Sequence, residues 1–216
     1  MNNYFIAHKP YHVLSQFSSE DGKPTLKDFF DVPSNVYPVG RLDYDSEGLL
    51  LLTDDKKLNK LLLDPKQKHE REYWVQVEGV MSEAAINELQ QGVFIQSNGK
   101  KYLTKKSFVK RFSSSPNVME RTPPIRFRKS IPDSWISVIL TEGKNRQVRK
   151  MTARVGYPTL RLIRYRIENI TLGNLKAGEM RKVSQEEMYN LLKIKKSNSY
   201  VKINDRLWQS GTNRRR

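Results

Sequence analysis

The sequence predicts a domain that mixes β-strands with short α-helices, and three observations support this. An unbroken apolar run at residues 49–52 is bounded by polar residues, as a buried strand is. Residues 72–79 place Tyr73, Val75 and Val77 at every second position, which is the period of a strand. Residues 82–91 and 184–192 each begin at a serine cap and continue with helical apolar spacing.

The other elements follow in chain order from turn residues and apolar spacing. Pro10 has no N–H, so the first strand should end there or lie at a sheet edge. Asn98-Gly99 indicates a hairpin turn. Further strands are predicted at residues 4–7, 93–95, 102–112, 136–140, 167–172 and 178–183. Further helices are predicted after Thr25, after Thr53 or Asp54 as far as Pro65, and from Asn145 to Gly156.

The charge of the chain indicates a polyanionic partner. At 216 residues the chain can form one sizeable domain or two small ones, and its net charge is +16. Residues 193–216 hold eight Lys or Arg against one Asp, so the rest of the chain still carries +9. Nucleic acid and an anionic membrane surface are the leading candidates. We read residues 193–216 as a flexible, basic tail that would bind such a partner.

Composition also excludes several classes of protein. The chain has no cysteine and only three histidines, far apart in sequence, which argues against disulfides and a Cys- or His-rich metal site. It shows no signal peptide and no apolar run of about 18 residues. We therefore expect a cytoplasmic protein without a membrane partner.

Residues 40–55, GRLDYDSEGLLLLTDD, place acidic side chains on a turn that a rigid strand holds. On the residues alone, Asp43 is one of five acids in sixteen residues, and a solvated turn explains it equally well. A second interpretation takes Asp43, Asp45 and Glu47 as ligands of a metal-dependent nuclease. Residues 142–151, EGKNRQVRKM, predict a helix with a basic face, which suits either phosphate contacts or solubility.

These two motifs resemble the pseudouridine synthases, and most closely their ribosomal branch. The resemblance covers residues 4–192 and implies an α+β fold, with a central, mostly antiparallel sheet in two halves, flanked by helices, and an RNA cleft between the halves. It makes residues 1–192 the catalytic domain. Because it begins by residue 8, no separate N-terminal RNA-binding module is expected. It also implies a monomer that needs no cofactor or metal.

The resemblance assigns roles to particular residues. Asp43 would be the catalytic acid, Tyr73 would lie against the target base, and Arg149 would pair with Asp43. A cation within about 4–6 Å keeps a carboxylate ionised when RNA excludes water. The predicted RNA-binding residues are Lys9, Arg41, Arg126, Arg128, Lys129, Arg146, Lys150, Arg161 and Arg164. Arg41 would fill the space that the flipped base leaves, although a solvated side chain is the alternative for Lys9.

The implied activity is the isomerisation of a uridine in ribosomal RNA, most specifically in the RNA of the large subunit. The alternative from another class is a non-catalytic protein that binds ribosomal RNA or assists ribosome assembly. That protein would explain the charge but not the paired motifs. The enzyme hypothesis, unlike the non-catalytic one, requires that Asp43, Tyr73 and Arg149 converge in one cleft.

Overall fold

A computed structural model describes residues 2–125 and 131–194, and within these residues one large sheet organises the chain. Its strand order is β11–β1–β3–β9–β4–β8–β7, with β2 paired to β3 and β10 to β9. The strands are β1 Tyr4–Lys9, β2 Tyr37–Pro38, β3 Glu47–Thr53, β4 Arg71–Glu78, β5 Phe94–Ser97, β6 Lys100–Leu103, β7 Phe108–Arg111, β8 Asp133–Leu140, β9 Thr159–Ile167, β10 Ile170–Thr171 and β11 Met180–Lys182. The helices are α1 Lys56–Leu63, α2 Glu83–Gln91, α3 Gln147–Arg154 and α4 Gln185–Leu191.

The sheet consists of two antiparallel halves that meet at one short parallel pairing. Only Glu47 and Gly48 of β3 pair with β9, opposite Ile163 and Arg164. Gly48 has φ +109°, and a Cβ atom built there would lie 2.4 Å from the Arg164 carbonyl oxygen. Glycine is therefore required at this close approach. The predicted α+β fold, with a mostly antiparallel sheet in two halves, is confirmed.

The helices cover the sheet and complete the core. Buried side chains of α1 and α4 join one apolar cluster with β1, β3 and β9. Those of α2 and α3 join a second cluster with β4 and β8. A third cluster lies between β1, β3 and the segment of residues 13–36. Each helix therefore buries one apolar face, as its spacing predicts.

Helix capping agrees with the sequence at two helices and differs at two. Ser82 and Ser184 cap α2 and α4 as predicted. Asp55, one or two residues later than predicted, accepts hydrogen bonds from the first backbone N–H groups of α1. The predicted cap Asn145 is wrong, because α3 begins at Gln147 and the residue before it, Arg146, has left-handed backbone angles. The Gln147 side chain instead accepts a hydrogen bond from the Lys144 N–H.

The predicted strands differ most from the structure in two places. The single strand predicted at residues 102–112 is split into β6 and β7, which belong to different sheets, because residues 104–107 between them lie outside any strand. The Thr104 hydroxyl accepts a hydrogen bond from the Val93 N–H in this segment. The long strand β9 was not predicted, because three arginines at positions 161, 164 and 166 conceal its apolar pattern.

Several predicted residues lie outside the described part of the chain. These are Arg126, Arg128 and Lys129, together with residues 195–216 of the basic tail. Within residues 2–125 and 131–194, none of the helices has the length and apolar character that crossing a membrane requires.

Candidate active site

A cleft of about 690 Å³ lies where the two halves of the sheet meet. Asp43 enters it from the turn before β3, and Tyr73 enters it from β4 in the other half. Arg146, at the beginning of α3, lines the same cleft. Two segments about a hundred residues apart in sequence are thus brought together, as the motif pairing predicts.

Backbone and side-chain hydrogen bonds fix the turn that carries Asp43. The Ser46 N–H donates to the Asp43 carbonyl at 3.0 Å. The Ser15 hydroxyl holds Leu42, the residue before Asp43. It accepts a hydrogen bond from the Leu42 N–H at 3.0 Å and donates one to the Leu42 carbonyl at 2.8 Å. The His12 N–H donates to the Tyr44 carbonyl, and the two rings stack 4.7 Å apart. The Asp43 side chain remains 33% exposed, so it is held in place and still accessible to a substrate.

The predicted partner of Asp43, Arg149, makes its short contacts with Asp45, and it acts on Asp43 through charge alone. Arg149 donates through Nη2 to the Asp45 carbonyl, and its Nε lies 3.4 Å from the Asp45 carboxylate. Within the described part of the chain, the cation nearest to Asp43 is Arg146, with 3.9 Å between Nη1 and Oδ2. Arg146 in turn binds Asp45 with two bonds of 2.8 and 2.7 Å. Asp45 therefore holds both arginines, and Asp43 has only a long contact with one of them.

The pKa values of this cluster follow from burial and charge. Burial disfavours the charged form of Asp45, but the hydrogen bonds from Arg146 and the charge of Arg149 outweigh it, so its pKa lies below the ordinary value. The hydrogen bonds to Asp45 raise the pKa of Arg146. Burial lowers the pKa of Arg149, and the charge of Asp45 opposes this effect. The Asp45 carboxylate and its two arginine partners thus stay ionised beside Asp43.

Tyr73 lies in the middle of the sheet, opposite Val138 on β8 and Arg164 on β9. Its ring is half-buried against the second apolar cluster, yet it still lines the cleft. A ring in this position offers a rigid apolar surface in the cleft that Asp43 also lines. This geometry suits support of a flat base.

Lys9, which was predicted to contact RNA, is instead buried inside the first half of the sheet. Its side chain has no exposed surface, and its Nζ donates to the carbonyls of Pro10 and Val13 at 2.9 and 2.6 Å. Burial lowers its pKa to about 7, against the opposing charge of Glu47. A side chain in this position cannot reach a phosphate, so the prediction is corrected to a structural role.

Arg161 and Arg164 are likewise internal rather than RNA-facing. Arg161 binds the buried Glu47 carboxylate at 2.8 and 3.0 Å. The Arg164 Nε donates to the Leu49 carbonyl at 2.7 Å. Both bonds run from β9 to β3, so these arginines connect the two halves of the sheet instead of binding phosphates.

The other predicted RNA contacts within the described residues lie at the surface. Arg41 is exposed on the rim of the cleft, and Lys150 is partly exposed on α3. Three further lysines also line the cleft, namely Lys68, Lys105 and Lys144. No local signal marks Lys68 or Lys144 as part of this rim, because only the fold brings these separate segments together.

Glu142, within the second motif, organises one wall of the cleft, and the sequence reasoning assigned it no role. Its buried carboxylate accepts hydrogen bonds from the Tyr102 hydroxyl at 2.5 Å and from the Lys105 N–H at 2.9 Å. It also accepts one from the Gln147 side chain at 2.7 Å. The bond to Glu142 raises the pKa of Tyr102 to about 12. This network ties β6 to the beginning of α3.

The geometry does not support the nuclease interpretation. Within residues 2–125 and 131–194, no three His, Asp or Glu side chains are grouped so that they could hold a metal ion. Glu47 is bound by Arg161 inside the sheet, and Asp45 is bound by Arg146 and Arg149. Asp43, Asp45 and Glu47 therefore do not share one site.

Comparison with known proteins gives consistent matches. The family described as RNA pseudouridylate synthase matches residues 3–154. A Vibrio vulnificus protein named ribosomal large subunit pseudouridine synthase E is 46% identical over 179 residues, which cover 83% of this chain and 74% of that protein. A Xanthomonas campestris protein of the same name is 47% identical over 178 residues, covering 82% and 92%.

A solved structure agrees with these matches. A crystal structure described as pseudouridylate synthase superposes with a TM-score of 0.70 and 29% identity, covering 88% of this chain and 74% of that one. The similarity extends through both halves of the chain, because 88% coverage must include segments on each side of the cleft.

Proposed function

This chain belongs to the RNA pseudouridylate synthase family, and from that premise we propose that it isomerises a uridine of large-subunit ribosomal RNA to pseudouridine. The names of its relatives from Vibrio and Xanthomonas support the choice of RNA. The net charge of +16 favours a polyanionic substrate of this kind. We propose that residues 1–192 form the catalytic unit and that it acts as a monomer in the cytoplasm, where ribosomal RNA is modified.

The observation that carries the proposal is the position of Asp43. Its carboxylate is the accessible acid of the R-L-D motif, and it lies in a cleft of about 690 Å³ that Tyr73 also lines. The cleft is large enough for one flipped nucleotide, which must leave its stack to be reached. Among residues 2–125 and 131–194, no cation lies closer to the Asp43 carboxylate than 3.9 Å, so its oxygens are available to a substrate.

The reaction breaks the bond between uracil N1 and ribose C1′ and forms a bond between C5 and C1′. C5 loses a proton and N1 gains one, so atoms and electrons balance without a co-reactant. We assign Asp43 to the ribose side, where a carboxylate serves as nucleophile or as base in related bond cleavage. We assign Tyr73 to the face of the detached base, which it would hold while the base turns.

The arginines would act through charge. Arg146, 3.9 Å from Asp43, and Arg149, held by Asp45, surround the acid with positive charge. This charge would offset the cost of removing water from the Asp43 carboxylate when RNA fills the cleft. In the proposal Arg149 therefore positions the turn through Asp45 rather than by binding Asp43. Arg41, on the exposed rim, would enter the space that the flipped base leaves.

The test is a rate measurement on Asp43→Asn, which keeps the size of the side chain and removes its charge. Because C5 loses its hydrogen, ribosomal RNA made with 5-tritiated uridine releases tritium to water as the reaction proceeds. We expect wild-type protein to release tritium and Asp43→Asn to release none while its RNA affinity stays within about twofold. Asp21→Asn, an exposed acid on a distant turn, is the matched control.

Undiminished tritium release from Asp43→Asn would refute the assignment of Asp43. No release from wild-type protein that binds the RNA would favour the non-catalytic RNA-binding alternative, which the family match does not support. Mapping pseudouridines in large-subunit RNA from cells with and without the protein would identify the target.

A further inference from the structure

The outer face of the β5–β6 hairpin exposes an apolar and basic surface that the proposed reaction does not use. Cross-strand register pairs Phe94 with Leu103 and Gln96 with Lys101, so these four side chains share one face. Phe94 is 46% exposed and Leu103 is 52% exposed. The other face of the hairpin is turned inward, where Ile95 is buried. The exposed face therefore lacks a covering element among the described residues.

The hairpin is held rigidly and is continuous with the cleft. Tyr102, on its inner face, donates to the buried Glu142, and the Lys105 N–H just after β6 donates to the same carboxylate. Both Tyr102 and Lys105 line the cleft. Leu103 lies only two residues from Lys105, so the outer face begins where the rim of the cleft ends.

The charge of this segment selects the kind of molecule that could cover it. Residues 94–111 contain six Lys or Arg and no acidic residue. The Lys101 Nζ lies 4.3 Å from the centre of the Phe94 ring. An exposed aromatic ring beside lysines matches the way proteins bind single-stranded nucleic acid, by stacking a base and neutralising the phosphates. A segment that contains lysines and no acidic residue would repel a basic second copy of the chain.

We propose that this outer face is an accessory binding surface for the strand of substrate RNA that leaves the cleft, with one base stacked on Phe94 and the adjoining phosphate bound by Lys101. The proposal rests on the proposed function for the identity of the RNA. Under this proposal Phe94 and Lys101 determine the affinity for RNA, whereas the residues of the cleft carry out the reaction. The rim lysine Lys105 bridges the two surfaces.

The test compares RNA affinity and reaction rate in Phe94→Ala and Lys101→Ala. The Kd for transcribed large-subunit ribosomal RNA should rise about 5- to 100-fold in Phe94→Ala, because one stacking contact is lost. In Lys101→Ala the slope of log affinity against log salt should fall by about 0.7 to 0.9, because one phosphate contact is lost. The single-turnover rate at saturating RNA should change less than twofold in either variant.

Matched controls come from residues 27 and 29, which belong neither to the hairpin nor to the lining of the cleft. Phe29 is 43% exposed, and the neighbouring Lys27 is also exposed, on a short 3₁₀ turn far from the hairpin in sequence. Phe29→Ala and Lys27→Ala remove the same chemical groups and should leave both Kd and salt slope unchanged. Thermal melting of all four variants checks that the fold is retained.

The proposal would be overturned if both hairpin variants had the Kd and the salt slope of the wild-type protein. The face would then be an ordinary solvent-exposed surface. If the hairpin variants keep wild-type RNA affinity but lose self-association in sedimentation, the face binds a second copy of the chain. That result would also overturn the proposal. Because Kd is measured independently of catalysis, these outcomes are distinct from absence of tritium release by wild-type protein, which concerns only the proposed function.

Discussion

Asp45→Asn is the substitution that most directly tests how the active site is organised. In the structure Asp45 binds Arg146 through two short bonds and lies 3.4 Å from the Arg149 Nε, while Asp43 has one contact of 3.9 Å. Asparagine keeps the size of the side chain and one acceptor oxygen but loses the charge. We expect Arg146, no longer neutralised, to close on Asp43, the nearest remaining acid.

The magnitudes follow from exposure and distance. The side chains of Arg146 and Asp45 are 42% and 28% exposed, so solvent screens the lost ion pair, and the stability should fall by only about 1 kcal/mol or less. The rate is more sensitive, because a displacement of about 1 Å in a reacting group can lower it about 100-fold. We therefore expect a 10- to 100-fold lower single-turnover rate with an almost unchanged Kd for RNA.

The assay is tritium release under single-turnover conditions, with RNA affinity measured in parallel and Asp21→Asn as the charge-matched control. A rate within twofold of wild type would refute the view that Asp45 positions the arginines. A rise in RNA affinity at an unchanged rate would refute it as well, since Asp45 would then only compete with phosphates for the arginines. Folding is checked by thermal melting of the same samples.

Three further substitutions test the junction and its buried charges. Gly48→Ala should lower the free energy of unfolding by about 3 kcal/mol or more, because its Cβ would lie 2.4 Å from the Arg164 carbonyl; an unchanged melting temperature would contradict this. Arg161→Met leaves Glu47 buried without its partner and should cost about 3–5 kcal/mol in urea denaturation, with recovery expected on adding Glu47→Leu. Folding lowers the pKa of Lys9 from its ordinary value of 10.5 to about 7. Between pH 7 and pH 10.5 the unfolded chain therefore binds more protons than the folded one, so the free energy of unfolding should rise with pH in this range. We expect about 1–2 kcal/mol of additional stability from pH 7 to pH 9 in wild type, and a flat profile in Lys9→Met; equal profiles would show that this lysine does not titrate in the window.

Local elements and the motifs were predictable from the sequence because short-range interactions determine them. Ser82 and Ser184 cap their helices through hydrogen bonds to N–H groups three residues away, so their role can be read from neighbouring residues. The alternation in β4 reports a half-buried strand regardless of its partners. The hairpin turn at Asn98-Gly99 needs two positive φ angles, which these residues adopt readily.

The partners of charged side chains were decided only by the tertiary structure. Lys9, Arg161 and Arg164 look like surface cations in the sequence, yet folding buries all three in the sheet against backbone carbonyls and Glu47. Arg149 meets Asp45, 104 residues away, because the turn before β3 directs that acid toward α3. The R-L-D motif identifies its acid locally, but which cation meets it depends on long-range geometry. Burial and ion pairing depend on segments that pack together from distant parts of the chain, and composition or spacing does not carry that information.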